Sequence, residues 1–162
     1  HFMICLKGNH EVMMVDAVRH GRRMDWWCGH GGTQTLGSYS ARSMDGPPEE
    51  HLDWLDQLPT RHHDPARKLV FVHAAIDADI FPEPDAHQHL WGRSAAFFNS
   101  ASWRNPGLDG YCVIHGHTPT DDQEPDISED RRRINVDTGA VYGGALTAVG
   151  LATDRPPIFL KA

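Results

Sequence analysis

The chain has 162 residues, with 15 lysines and arginines against 22 aspartates and glutamates; a formal charge of −7 argues against a nucleic-acid groove as the main feature of its surface. Its three cysteines, Cys5, Cys28 and Cys112, have no paired spacing, which excludes a disulfide framework and reads as reduced thiols of a cytoplasmic protein. No apolar run approaches the roughly 20 residues that span a bilayer, and the length suits one domain, residues 1–162, with a real core.

In chain order, the apolar run Phe2 to Leu6 predicts a buried strand. A helix follows from Glu11 to His20, with Val12, Val15 and Val18 or Ala17 on one face and Gly21 closing it. Pro48, Glu49 and Glu50 open a second helix, whose Leu52, Leu55 and Leu58 form an apolar stripe ended by Pro59. His62 and His63, beside Pro65, read as loop positions, and Lys68 to Val72 as a strand buried on both faces. A third helix is expected from Ala86 to Phe98, with His87 and His89 on its surface. Tyr111 to Ile114, Arg133 to Val136 and Ala145 to Leu151 read as strands, and Pro157 to Lys161 as an edge strand. The stretch from Asp121 to Asp130 holds six carboxylates and reads as a solvated loop, whose charge Arg131, Arg132 and Arg133 balance. Interleaved helices and strands, with short strands last, predict an α/β sandwich.

Three segments place nitrogen and oxygen donors directly after apolar runs: Lys7 to Glu11 (Lys-Gly-Asn-His-Glu), Val72 to Ala75 (Val-His-Ala-Ala) and Val113 to Thr120 (Val-Ile-His-Gly-His-Thr-Pro-Thr). A metal centre at the mouth of a sheet gathers its ligands singly from separate strands, which is this layout. Neutral imidazole is the commonest protein ligand to first-row metals, and the pair His115 and His117 around Gly116 gives a plausible metal edge. Asn9 alone reads as a turn residue, and His73 alone as polar punctuation at a strand end. Small Ala74 and Ala75 leave room for an ion.

With Arg133 to Ala148 (Arg-Ile-Asn-Val-Asp-Thr-Gly-Ala-Val-Tyr-Gly-Gly-Ala-Leu-Thr-Ala) added, the chain resembles the calcineurin-like metallophosphoesterases, and among them the bacterial serine/threonine phosphoprotein phosphatases. The resemblance runs in register to about Leu151. It implies a fold of two mixed β-sheets flanked by helices, with metals at the strand ends. It also implies Asn9, His73 and His117 as metal ligands, with His115 behind them orienting a ligand or water. His10 is implied as the general acid, Arg93 of Leu-Trp-Gly-Arg as a group that meets substrate phosphate, and Tyr142 as a neighbour of the substrate. Glu11 reads as an acid opposing the helix dipole. Relatives carry an Asp-x-His-Gly and a Gly-Asp-x-x-Asp-Arg-Gly motif upstream, and neither occurs here. The chain therefore reads as the C-terminal two thirds of such a phosphatase, incomplete at its N-terminus.

Two divalent ions are expected in the parent enzyme, manganese first, with iron or zinc as alternatives, and at most one weakly held ion in these residues. The expected activity is hydrolysis of phosphomonoesters, on protein phosphoserine or phosphothreonine or on a small phosphorylated substrate, by metal-activated water. Two alternatives stand beside it: a hydrolase of diadenosine tetraphosphate and related dinucleotides, and a non-catalytic fragment with half of a dimetal site. No nucleic acid and no membrane is expected as partner. Specificity is expected in the Met24 to Ser43 and Pro82 to His89 stretches, read as loops.

Overall fold

The computed structural model describes residues 3–152 and 154–162. By its internal contacts the chain divides into two compact units, one ending at Pro59 and the other running from Thr60 to Ala162.

The first unit is helical, with α1 (Asn9–Val18), α2 (Met24–Trp27), α3 (Thr33–Ser40) and α4 (Glu49–Gln57). The strand expected at its start does not form: Met3 to Leu6 pair with no strand among the described residues, and Met3 and Ile4 are exposed. Phe2 lies outside the described residues. A lone extended segment leaves its backbone groups to water, so β-propensity alone does not make a strand. α1 begins at Asn9, two residues earlier than Glu11, because the Glu11 carboxylate reaches back to accept the Gly8 N–H at 2.7 Å. Gly21, at φ +63°, releases the chain from the helix while its N–H donates to the Ala17 carbonyl. The buried side of α1 is Met13, Met14, Val15 and Ala17, rotated from the predicted stripe, with Val12 and Val18 half-buried. α4 turns Leu52 inward, and the Arg19 guanidinium reaches Glu49 and Asp53 at 2.6 and 2.7 Å. The Met24 to Ser43 stretch is mostly helical rather than loop. Its wide turn at Cys28–Gly32 packs Gly32 so tightly that a Cβ there would fall 2.5 Å from the buried Trp27 indole.

The second unit holds a five-stranded mixed sheet in the order β1 (Arg61–Asp64), β2 (Leu69–Val72), β3 (Cys112–His115), β5 (Arg133–Asn135), β4 (Asp126–Ile127). β2, β3 and β5 run parallel, with β1 and β4 antiparallel at the edges. Val70, Val72, Val113, Ile114 and Ile134 are buried, as central parallel strands require. The core closes with Phe81, Phe97, Trp103, Leu108 and Tyr111. The second sheet is the hairpin β6 (Thr147–Ala152) and β7 (Arg155–Lys161), antiparallel throughout and not mixed.

Three local expectations change. The His62 and His63 segment is strand β1, recruited by pairing with β2 although its Arg-His-His-Asp sequence carries no apolar alternation. The acidic stretch contributes the short strand β4. The predicted third helix breaks into α5 (Ala86–Trp91) and α6 (Ala95–Phe98). Asp85 caps the first piece, accepting the His87 and Gln88 N–H groups, and Ser94 caps the second, accepting the Phe97 N–H. Gly92 lies where a Cβ would fall 2.6 Å from the Ala75 Cβ, so the break lets this backbone press on the chain after β2. His89 is buried, 1% exposed, and not on the surface.

No helix among the described residues is long and apolar enough to cross a membrane. The three cysteines are free and half-buried, and burial pushes the Cys112 thiol up to about 11.

Candidate functional site

Parallel pairing of β2, β3 and β5 brings the residues after three strands to the same end of the sheet. His73 follows β2, and Gly116 and His117 follow β3; the Gly116 N–H donates to the His73 carbonyl at 2.9 Å. This bond ties the two strand ends together. The imidazoles then face each other, His73 Nε2 lying 3.0 Å from His117 Nδ1 with the rings at 62°.

On its far side the His117 ring accepts a hydrogen bond at Nε2 from Arg93 Nε, 3.1 Å away, and the Trp91 ring packs edge-on against it at 6.4 Å. An arginine N–H can only donate, so Nε2 of His117 presents its lone pair. The ring proton of the neutral form is then on Nδ1 and is shared with His73 Nε2. Arg93 is held here because the α5 to α6 break turns the chain at Gly92, and its side chain remains exposed.

His117 has φ +68°, in the left-handed region that costs an L-residue about 1–2 kcal/mol. Neighbours from β5 pin the turn around it. The Val136 N–H donates to the His115 carbonyl, and Asn135 Nδ2 donates to the Thr118 carbonyl at 2.9 Å. His115 itself is 2% exposed, and burial lowers its imidazole to about 4. Its Nε2 faces Arg133 Nη1 at 3.1 Å, and Phe97 and Phe98 stand edge-on to the ring.

The donor chemistry fits a divalent cation. His73 Nε2 and His117 Nδ1, 3.0 Å apart, are two imidazole nitrogens of the kind that would hold a first-row divalent ion. Among the described residues no cluster of three or more His, Cys, Asp or Glu that could hold a metal ion forms. Asn9 and His10 belong to the first unit, where Asn9 is buried at 6% exposure in the first turn of α1 and His10 is exposed. Tyr142 ends a short 3₁₀ turn from Ala140 and is 78% exposed.

Sequence reasoning missed Trp91 and Asn135 and treated Arg133 as simple charge balance. The missed signal was polar residues at both ends of the short buried strand Arg133-Ile134-Asn135, where an apolar run is the rule.

No family model matches the chain. Among curated proteins, it is 30% identical over 132 residues to the asymmetrical bis(5'-nucleosyl)-tetraphosphatase PrpE of Halalkalibacterium halodurans, covering 74% of this chain and 52% of the relative. It is 29% identical over 164 residues to serine/threonine-protein phosphatase 1 of Salmonella typhimurium, covering 90% of this chain and 65% of that one. The chain thus spans between half and two thirds of the length of these relatives. A crystal structure assigned as a diadenosine tetraphosphatase superposes with a TM-score of 0.61 at 17% identity, over 98% of this chain and 68% of its own. In sequence the chain is thus similar to two bacterial phosphoesterases, and in fold to a solved diadenosine tetraphosphatase structure, in line with the calcineurin-like metallophosphoesterases that its motifs resemble.

Proposed function

We propose that this chain carries part of the active site of a metal-dependent phosphoesterase that hydrolyses phosphate esters with activated water. The observation that supports this best is the His73 to His117 pair, aimed nitrogen to nitrogen at 3.0 Å at the ends of adjacent parallel strands. In this reading His73 Nε2 and His117 Nδ1 hold one divalent ion, and by the family resemblance Asn9 is a third donor. Such an ion polarises phosphoryl oxygens and lowers the pKa of bound water. Manganese leads as its identity, with zinc and iron as alternatives.

Arg93 presents a guanidinium fork beside the pair, suited to two phosphate oxygens. His10, exposed on α1, is the proposed general acid, since an imidazole can deliver a proton to a leaving alkoxide. Tyr142, exposed on the loop after Asp137-Thr138-Gly139, is available to touch substrate. The two further metal motifs of the family are absent from these 162 residues, so the reading assigns them half of a dimetal centre.

Phosphoprotein and dinucleoside polyphosphate are both candidate substrates. The Salmonella relative supports the first, and the PrpE relative with the superposed structure supports the second. Calorimetric titration with manganese and zinc tests the site, with one equivalent expected to bind wild type and none to bind His73→Ala or His117→Ala. Turnover of a phosphoserine peptide against diadenosine tetraphosphate, with the two missing motifs supplied on the same chain, then decides the substrate. Undiminished metal binding by both histidine variants would defeat the assignment.

A further inference from the structure

Arg133 is a cation with 6% of its surface exposed, set in a sheet where its neighbours Val113 and Ile134 are apolar. Register places it opposite Val113, so its side chain stands on the same face of the sheet as His115, one diagonal step away. Nη2 pairs with the Asp126 carboxylate, Nη1 donates to His115 Nε2 at 3.1 Å, and Nε is buried with no hydrogen-bond partner. An incompletely satisfied buried guanidinium is a poor way to stabilise a core, because apolar side chains of similar volume commonly do as well or better. Its adjacent arginines are placed differently. Arg132 serves backbone carbonyls at Ser100, Trp103 and Leu108, and Arg131 is exposed.

What the guanidinium does for His115 is specific. It has no acceptor, so His115 Nε2 must offer its lone pair and the ring proton must sit on Nδ1. That nitrogen faces the Gly116 carbonyl at 3.2 Å, which also accepts the Thr118 N–H at 2.8 Å. The carbonyl belongs to the peptide that leads into His117, the residue held at φ +68°. With Nδ1 unprotonated, the imidazole would turn a lone pair toward that oxygen and repel it.

We propose that Arg133 is a positioning residue of the metal site: by fixing the protonated nitrogen of His115, it holds the Gly116–His117 peptide in the turn that aims His117 Nδ1 at His73. This rests on reading His73 and His117 as metal ligands. Asp126 completes the arrangement by anchoring the guanidinium from β4.

The test uses Arg133→Met, which keeps most of the volume and removes the donors, and Arg133→Lys, which restores one charged donor. Nitrogen NMR of the imidazole rings in the metal-free chain is read beside zinc affinity by calorimetry and thermal melting. In wild type, His115 should show a proton on Nδ1 and a hydrogen-bonded, unprotonated Nε2. Arg133→Met should lose that single form, shift the His117 ring signals, and weaken zinc binding at least tenfold in protein that is still folded. Arg133→Lys should recover most of the loss. A merely structural role would lower the melting temperature and leave the ring signals and the affinity of the folded fraction unchanged, which would overturn the proposal. Wild-type His115 protonated on Nε2 would overturn it as well, even if Arg133→Met did not fold. Wild-type protein that binds no zinc would remove the metal reading, and the proposal with it, while the His115 and His117 ring signals would still show whether Arg133 sets the turn.

Discussion

Arg93 Nε donates to Nε2 of His117 while His117 Nδ1 meets His73, so a single imidazole stands between the arginine proposed to hold phosphate and the histidine proposed to share a metal. The two contacts use opposite nitrogens and are chemically coupled. A cation bound at Nδ1 would leave the neutral ring's proton on Nε2, where it would oppose the Arg93 N–H and open that contact.

Arg93→Ala is therefore expected to bind manganese or zinc about 3- to 10-fold more tightly than wild type, since a hydrogen bond worth about 1 kcal/mol no longer competes with the metal. Phosphate or vanadate should bind the metal-loaded variant more weakly. Calorimetric titration of both ligands checks the pair of signs, and weaker metal binding by Arg93→Ala would show that the arginine supports the site instead of competing with it.

Acid should destabilise the metal-free second unit well above the carboxylate range. His89 and His115 are both lowered to about 4 by burial from an ordinary 6.5, so between these values the unfolded chain binds more protons than the folded one. Unfolding free energy then rises with pH across this window, and the stability it represents is lost as pH falls from about 6.5 to 4. Each histidine contributes up to roughly 3 kcal/mol. Urea melts at pH 7.5, 5.5 and 4.5 measure it, and His89→Gln, which keeps a hydrogen-bonding group near Thr60, should flatten part of the slope.

Gly92→Ala should destabilise the second unit by about 1–3 kcal/mol, because its Cβ would collide with the Ala75 Cβ at 2.6 Å and the Gln88 carbonyl at 2.7 Å. The same collision pushes α5 away from the chain after β2 and displaces Arg93. Chemical denaturation reads the first effect, and a weakened response of the His117 ring signals to Arg93→Ala reads the second.

The apolar strands of this fold were legible because central parallel strands read as apolar runs: Leu69 to Val72 and Cys112 to Ile114 are such runs, with Val70, Val72, Val113 and Ile114 buried and Leu69 and Phe71 half-buried. The segments that broke the reading are those where tertiary pairing overrides local pattern. Arg61 to Asp64 is a strand only because β2 offers it a ladder, and Met3 to Leu6 is not one because no described strand does. Gly92 was visible as a residue, but the close approach of Ala75 that requires it was not. At the site, His73 and His117 could be picked out as residues following strands. The contact between them depends on the Gly116 to His73 backbone bond and on the left-handed His117, neither of which has a periodic signature. Arg133 does pair with Asp126 of the acidic stretch, but a run of three arginines after acids gives no sign that strand register turns one of them inward.

The strain at His117 gives a last prediction that separates stability from function. At φ +68° a glycine is at ease, whereas alanine retains the clash of its Cβ with the backbone. Both substitutions remove the imidazole and its contacts with His73, Arg93 and Trp91, so these losses cancel when the two variants are compared. His117→Gly should then be more stable than His117→Ala by about 1 kcal/mol, despite the greater chain entropy that glycine gives the unfolded state. Neither variant should bind manganese or zinc. Equilibrium urea unfolding of the two proteins gives the difference, and calorimetry gives the metal result. If alanine proved the more stable, the left-handed turn would not be a source of strain in the folded chain, and the view that β5 holds His117 against its backbone preference would fail.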